Sequence, residues 1–567
     1  MKVRLKNLIS GAGRLFVVAL CGRGTAAPSQ GAVTFDKDIA PIVYRNCCTC
    51  HRSGESTPFN LLTYNDVAKR AKQIAEVTRL RYMPPWPPDV GGGYPRLIGE
   101  RRLSDGDLEL IQRWASGGAI EGDPTDLPPA PEASSEWQLG PPDLVVEMDK
   151  SYNLPAQGKD VYRNFAISVP GTVRRYVRAI EFRPQSSAVH HVFIETDRSR
   201  QSRLQATSGA EPGFPGLAVP GASKPPGQFL TWQPGKRASI SPPGMPWTLE
   251  PGTDLVIEAH LRPTGKIEPI RFKVGLYFTN QPPERTALNV LLTSLMIDIP
   301  TGATNFPVES SFTLPVDCEA LGVLAHCHFL GREVEGHADL PGGSRIPLLL
   351  ITNWDFNWQG DYRYQTPVEI PRGAILRMRF TYDNSTNNPR NPNNPPKRVR
   401  YGPQATDEMA ELSFLMLPKR VEDEKVLKDA FAGLVEERME EYDLAQVREN
   451  PEDAQARLNL GNVWFAQRRF TDAKKQIERA IELDPNLAEA HYYAGLIARM
   501  ENRLPDAERE FQSATRLDPT SGKTWGNLGL VQIGRNNLKG ARESMQHALE
   551  IDPTDGIARS MLDKLPK

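Results

Sequence analysis

Leu376-Arg-Met-Arg-Phe-Thr-Tyr382 alternates apolar and polar residues without a break, so Leu376, Met378, Phe380 and Tyr382 share one face of an extended chain. Phe272-Lys-Val-Gly-Leu-Tyr-Phe278 repeats the device with Phe272, Val274, Leu276 and Phe278. Runs of period two separated by Pro, Gly and Asn turns predict antiparallel β-sandwiches. The region 143–420 has room for two of them, divided as 143–285 and 286–420.

The chain outside that region is built differently. Of 50 prolines in 567 residues only six follow Asn450, so a loop-rich body precedes a tail of another kind. A length of 567 residues allows roughly three to five domains. Lys+Arg 68 against Asp+Glu 69 gives a net charge of −1, which excludes a strongly basic nucleic-acid binder. A hydrophobic content of 39% with 24% charged residues is that of a folded, soluble chain. No apolar run approaches the ~20 residues a membrane-spanning helix needs.

Histidine is scarce, nine in all, yet five of the nine fall in three tight places within the β region. His190 and His191 lie in Ala188-Val-His-His-Val-Phe193, His260 in Leu255-Val-Ile-Glu-Ala-His-Leu261, and His326 and His328 in Ala325-His-Cys-His-Phe-Leu-Gly331. Residues two apart on a strand project together, so His326 and His328 form a chelating pair and Cys327 points away. His260 lies on the face opposite Leu255, Ile257, Ala259 and Leu261. His190 and His191 would face apart in a regular strand, so joint binding requires a strand end or a twist. Imidazole-rich sites suit copper, zinc, iron or nickel, and a thioether added to two imidazoles favours Cu(I). His337 lacks such company and reads as a surface residue.

Toward the amino terminus, Cys47-Cys-Thr-Cys-His51 contains the c-type haem attachment spacing Cys-x-x-Cys-His. Two thiols one helical turn apart can each form a thioether with the haem edge, and His51 then meets the iron. Met83, in Arg81-Tyr-Met-Pro-Pro-Trp86, is the candidate sixth ligand, and Met/His ligation suits electron transfer. A zinc site would want four ligands, and no second Cys/His pair lies nearby. Helical patterns at Tyr64 to Leu80 and Ser104 to Trp114 complete a small all-α, cytochrome c-like domain over 32–123, followed by a proline-rich linker, 124–142. Before it, Lys2, Arg4 and Lys6, the apolar stretch Leu15–Cys21 and small residues to Ala27 have the order of a signal peptide, 1–27. Export to a bacterial periplasm or beyond is the corresponding expectation. The cysteines left after removal of such a signal, Cys47, Cys48, Cys50, Cys318 and Cys327, are too few and odd in number for a disulfide scaffold. Cys318 and Cys327 either pair or remain free thiols.

The β region resembles the copper type II, ascorbate-dependent monooxygenases, the family of peptidylglycine hydroxylating monooxygenase and dopamine β-monooxygenase. The histidines above carry the resemblance over roughly 141–420, together with Thr406-Asp-Glu-Met-Ala410, Asp355-Phe-Asn-Trp-Gln359 and Pro371-Arg-Gly. It implies that His190, His191 and His260 hold an electron-transfer copper, and that His326, His328 and Met409 hold a catalytic one. It also implies hydroxylation of a C–H bond of a small organic molecule with O2 and two electrons, with ascorbate or a redox protein as donor. The single haem would then feed the two coppers. Leu324 stands where the peptide-hydroxylating relatives place an arginine for the substrate carboxylate, and Glu411 and Ser413 stand where they place Asn and Tyr, which argues against a peptidylglycine substrate. Ala410 removes a family cysteine. The alternative is a non-catalytic redox or copper-binding protein that works through its tail.

That tail has a period of 34. Pro451, Pro485, Pro519 and Pro553 are so spaced, as are Gly461, Gly495 and Gly529, and Ala473, Ala507 and Ala541. A 34-residue repeat with small residues at helix crossings is the tetratricopeptide pattern, an α-solenoid over 450–567 entered by a helical linker, 421–449. A protein partner is the usual ligand of such a surface. His491 and His547 fall inside the pattern and read as structural.

Overall fold

The computed structural model describes residues 32–565 except 53–56, 58, 132–136, 217, 218, 220, 237, 553 and 554. The expected signal peptide lies outside the described residues. The amino-terminal unit is a set of short helices, Ala40–Asn46, Tyr64–Ala68, Ala71–Arg79 and Asp105–Ser116, closed around Phe35, Ile39, Leu61, Val67, Ile111 and Trp114. The pattern from Tyr64 to Leu80 is two helices rather than one, because Arg70 leaves helical geometry at φ −117° and lays its guanidinium 4.1 Å above the Phe59 ring. Ser104 and Asp107 form a capping box that starts the last helix.

The centre is β-rich, and its sheets are antiparallel throughout. In the first β unit, the sheet ordered Leu144–Glu147, Lys273–Thr279, Arg175–Arg183, Trp247–Leu249 shares a core with the sheet centred on Val161–Ser168, Asp254–Leu261 and Val189–Asp197. In the second, Leu288–Thr293, Glu411–Pro418, Cys318–His326 and Asp361–Ile370 pack over Phe306–Thr313, Ile375–Tyr382, Gly331–Asp339 and Arg345–Ile351. Leu376, Met378, Phe380 and Tyr382 are all buried, as their alternation requires. The run ending at Phe278 keeps its alternation: Phe278 packs half-buried against the core with Val274 and Leu276. Tyr277, on the other face, is buried as well, its hydroxyl donating to the Gly140 carbonyl at 2.8 Å.

His337 corrects the surface expectation. A register shift between Gly336 and His337 accompanies its burial to 6% exposure, with Glu335 at 3.3 Å and Asp339 at 3.7 Å. Burial lowers its pKa, and Arg345 adds to the effect.

Helix Glu424–Glu449 leads into paired helices, Ala454–Ala466 with Phe470–Leu483, Ala488–Met500 with Leu504–Leu517, and Gly522–Gly534 with Leu538–Ile551. Glycine at the crossings is a steric need: a β-carbon on Gly461 would lie 2.7 Å from Ile477, on Gly495 2.8 Å from Phe511, and on Gly529 2.8 Å from Met545. The entering helix seats its first half, Leu427, Ala430, Phe431 and Leu434, on the second β core. In its second half Glu440 accepts hydrogen bonds from Trp464 Nε1 at 2.9 Å, Gln467 Nε2 at 2.8 Å and Arg469 Nη1 at 2.7 Å, all from the first repeat.

Asp443 on that helix is 1% exposed, has no hydrogen-bond partner for either carboxylate oxygen, and has its pKa pushed up by burial to about 6. An acid whose folded pKa is raised destabilises the fold above that pKa, and the penalty fades as pH falls from about 6 toward the ordinary 3.8. Asp443→Asn is expected to stabilise the solenoid by on the order of 2 kcal/mol at pH 7.5 and by nothing near pH 4. Thermal unfolding followed by far-ultraviolet circular dichroism at both pH values checks this; an equal effect at both would refute it.

Candidate metal centre

The strand Val189–Asp197 pairs with Asp254–Leu261 so that His260 faces His191 but Leu261 faces Val189. His190 is therefore the extra residue of a β-bulge. Two adjacent histidines, which a regular strand would send to opposite faces, converge because the bulge re-aims one of them. His190 Nδ1 lies 3.0 Å from His191 Nδ1 and 3.1 Å from His260 Nδ1. That is the spacing of donors around one ion bonded at about 2 Å. These three residues are the cluster of potential ligands that the described residues bring within 4.8 Å of one another.

His260 Nε2 donates to Asp160 Oδ2 at 2.7 Å, which leaves Nδ1 as the lone-pair nitrogen. Tyr162 stacks on the His260 ring at 4.4 Å and 13°. Because Asp160 fixes that tautomer from outside the ligand set, Asp160→Ala is expected to weaken metal binding at this triad about 10–100-fold, measured by competition with a chelator. Unchanged affinity would mean that Asp160 only pairs with Arg262, 3.6 Å away.

His326 ends the strand Cys318–His326, and His328 lies just beyond it, so the pair is set by a strand end rather than by strand alternation alone. Their rings stand perpendicular, 5.2 Å apart. Gln359 Oε1 pairs with His326 Nδ1, and the Asp407 carbonyl accepts from His328 Nδ1 at 3.0 Å, leaving both Nε2 atoms as ligand nitrogens. Glu408 holds the turn by accepting from His328 N at 2.8 Å and Leu330 N at 2.7 Å. Cys327 points into the core, where a β-carbon on Gly331 would meet its Sγ at 2.5 Å. Cys318 and Cys327 are both free.

Met409 joins His191, His326 and His328 on the wall of one cavity of about 1360 Å³ between the two β units. The two histidine groups face each other across shared aromatics. Phe356 lies 6.4 Å from His191, 6.1 Å from His260 and 5.7 Å from His328, and Phe193 lies 5.9 Å from His191 and 6.4 Å from His326. Burial lowers His190 to about 3 and His326 and His328 each to about 4, and it holds His191 well below its ordinary value. Neutral imidazoles with aimed lone pairs fit a soft or borderline transition metal, and a thioether such as that of Met409, which lines the same cavity, would favour Cu(I) if it joined two of them.

The same cavity is lined by Leu324, Glu411 and Ser413, and by Glu195, Glu258 and Lys224. Burial raises all three carboxyl groups, Glu258 to about 8. Asp160, Gln359 and Phe356 act at the site without a pattern of their own in the sequence. Phe356 and Gln359 do fall within the segment Asp355–Gln359 singled out in the sequence, whereas no such segment includes Asp160.

In the amino-terminal unit the Cys-x-x-Cys-His segment makes one turn after helix Ala40–Asn46, with Cys50 N and His51 N bonded to the Cys47 carbonyl at 3.1 and 2.9 Å. His51 Nδ1 faces the Phe59 carbonyl at 3.2 Å, which leaves Nε2 for an iron. The donor set fits a covalently attached haem. Met83 sits in the turn after helix Ala71–Arg79, held by its N–H to the Val77 carbonyl at 3.1 Å, and the described contacts do not bring it to His51. Cys48 is core: its Sγ donates to the Leu61 carbonyl at 3.0 Å.

His491 is fixed by Glu510 at 2.8 Å and the Pro485 carbonyl at 3.0 Å, and His547 packs on Trp525 at 4.7 Å. Among the described residues no helix is long and apolar enough to cross a membrane.

Among known proteins, tetratricopeptide-repeat models match residues 432–485, 458–522 and 522–555. No curated protein matches the chain. Among solved structures it is similar to the first TPR of Spaghetti (RPAP3) bound to the HSP90 peptide SRMEEVD, at 20% identity over 20% of this chain and 88% of that one, TM-score 0.19. It is also similar to MamA protein, at 21% identity over 23% of this chain and 72% of that one, TM-score 0.22. The carboxy-terminal region consists of tetratricopeptide repeats, an architecture of protein–protein interaction.

Proposed function

We propose that the chain is an exported copper-dependent monooxygenase that hydroxylates a C–H bond of a small organic substrate, with electrons supplied through a c-type haem on the same chain. The observation that carries this reading is the bulge-built triad, His190, His191 and His260, facing His326, His328 and Met409 across one cavity. The balance is RH + O2 + two electrons + two protons giving ROH and water. Copper, when bound, would supply one-electron steps and the activation of O2.

The chain's own residues do the rest. Asp160, Gln359 and the Asp407 carbonyl hold the imidazole protons away from the ligand nitrogens. Phe193 and Phe356 stand beside both groups, each in ring contact with His191 and with one of His326 and His328. Leu324 and the apolar wall seat a hydrocarbon body, while Glu195, Glu258 and Glu411 around Lys224 suit a cationic or hydrogen-bond-donating end and disfavour a carboxylate. An ascorbate-like reductant or a redox protein would charge the haem at Cys47, Cys50 and His51, with Met83 the candidate second axial ligand.

The second reading, a redox or copper-binding protein that works through its repeats, is supported by the tetratricopeptide match. The experiment that separates them uses protein exported through a c-type maturation system. Two coppers and one haem per chain are expected, His260→Ala and Met409→Ala each weakening one copper, with substrate-dependent O2 consumption in a screen of small amines and alcohols. Haem without copper, or copper indifferent to both substitutions, would leave the second reading.

A further inference from the structure

We propose that the chamber between the two β units takes an elongated amphiphile, a cationic or hydrogen-bond-donating head on a straight apolar chain, and that the helix Glu424–Glu449 supplies residues that select for the chain. The proposal rests on the monooxygenase reading above and adds the shape of the substrate and a wall that recognises it.

The cavity is larger and longer than a small amine or alcohol requires. Its volume of about 1360 Å³ exceeds the ~300–1000 Å³ that holds a drug-sized molecule. Glu411 and Pro418 both line it, and they are the two ends of one strand. At about 3.3 Å per residue that strand spans about 23 Å from one to the other. Glu411 pairs with His326, so one end of the span is the two-histidine site. The other end lies where the chain turns into helix Glu424–Glu449.

The chemistry changes along that length. Beside the histidines, Glu195, Glu258 and Glu411 stand around the ammonium of Lys224, an end that favours a cation or a donor. Beyond them the lining becomes apolar, with Leu324, Leu291, Leu288 and Phe229. Asn289 does not break this stretch, because its amide is turned into the wall, Nδ2 donating to the Gln228 carbonyl at 3.1 Å and Oδ1 shut off from solvent without a partner.

The helix closes the far part. Glu424, Lys428, Phe431 and Val435 line the cavity, and their spacing of four, three and four residues makes them one stripe of the helix, about 16 Å long. The neighbouring stripe, Leu427, Ala430 and Leu434, is seated on the second β core. Phe431 joins the two, its ring 5.9 Å from that of Phe312. Glu424 is occupied at the rim by the Thr286 N–H at 3.4 Å. Val435, an apolar side chain, is 43% exposed. A short substrate held at the carboxyl groups would leave Val435 facing water, whereas a chain lying along the apolar wall covers it.

Isothermal titration calorimetry of the full-length protein with butylamine, octylamine and dodecylamine tests this. Each methylene taken fully out of water multiplies affinity about fourfold, so dodecylamine should bind about 100-fold or more tightly than butylamine. Val435→Trp sets a ring in the far part of the chamber from a position exposed enough to spare the fold, and Val435→Asp sets a charge there. Both should cost dodecylamine about tenfold or more, the loss of at least two buried methylenes, and leave butylamine within about twofold. Affinity that does not grow with chain length would overturn the proposal, as would no binding of any of the three. So would a loss equal for all three amines, or dodecylamine binding that neither substitution changes, because the chain would then not lie against the helix. Copper content and substrate-dependent O2 consumption are read separately. If both fail while chain length still governs binding, the monooxygenase reading falls and the chamber stands as a site for amphiphiles.

Discussion

His326→Ala reduces substrate-dependent O2 consumption to background, lowers bound copper from two per chain to one, and leaves the haem spectrum unchanged. The expected loss exceeds about 100-fold, because outer partners of a metal ligand already command about 10–100-fold and His326 is a ligand rather than a partner. Gln359→Ala, which frees the His326 ring without removing it, should fall in that lower range. Full turnover in His326→Ala would remove the catalytic assignment, whatever the copper content. Loss of haem along with activity would show a folding defect instead, and this is why the haem spectrum belongs in the measurement.

Glu408→Ala destabilises the second β unit by about 2–5 kcal/mol and weakens copper at the His326–His328 pair. Its carboxylate receives the backbone N–H groups of His328 and Leu330, both of which would be left buried without an acceptor. Each such group costs about 1–3 kcal/mol. Burial raises the Glu408 pKa to about 8 even though these N–H groups favour its charged form. Glu408→Gln keeps one acceptor oxygen but turns an amide N–H₂ toward the other donor, so its loss should be intermediate. Denaturant unfolding monitored on the β unit, with copper titration alongside, gives both numbers. A change below about 0.5 kcal/mol for Glu408→Ala would mean that solvent reaches the turn and satisfies it.

The parts of this architecture that follow a period are legible in the sequence itself. Leu376 to Tyr382 marks a strand face, and the 34-residue spacing of Gly461, Gly495 and Gly529 marks the solenoid, because in each the pattern repeats at the interval of the geometry. The fold departs from such periodicity where strand pairing shifts register. The bulge at His190 makes a site, and the shift beside His337 accompanies the burial of a histidine that reads as surface. A bulge is decided by the partner strand, which local sequence does not contain. The histidines themselves stand out as unusual clusters in a histidine-poor chain. Asp160 does not, because an aspartate in a loop gains its meaning only from the His260 ring, 100 positions away, that it meets.

The helix Glu424–Glu449 has a mechanical consequence. At 1.5 Å per residue its 26 residues form a shaft of about 39 Å. In its first half Phe431 and Val435 belong to the wall of the cavity between the β units; nine residues or about 14 Å beyond Phe431, Glu440 is clamped by three side chains of the first repeat. The shaft runs unbroken between them. One helix thus supplies side chains both to the chamber where the two histidine groups meet and to the clamp on the first repeat, so a tilt of the solenoid that leaves the clamp intact would have to carry that helix with it.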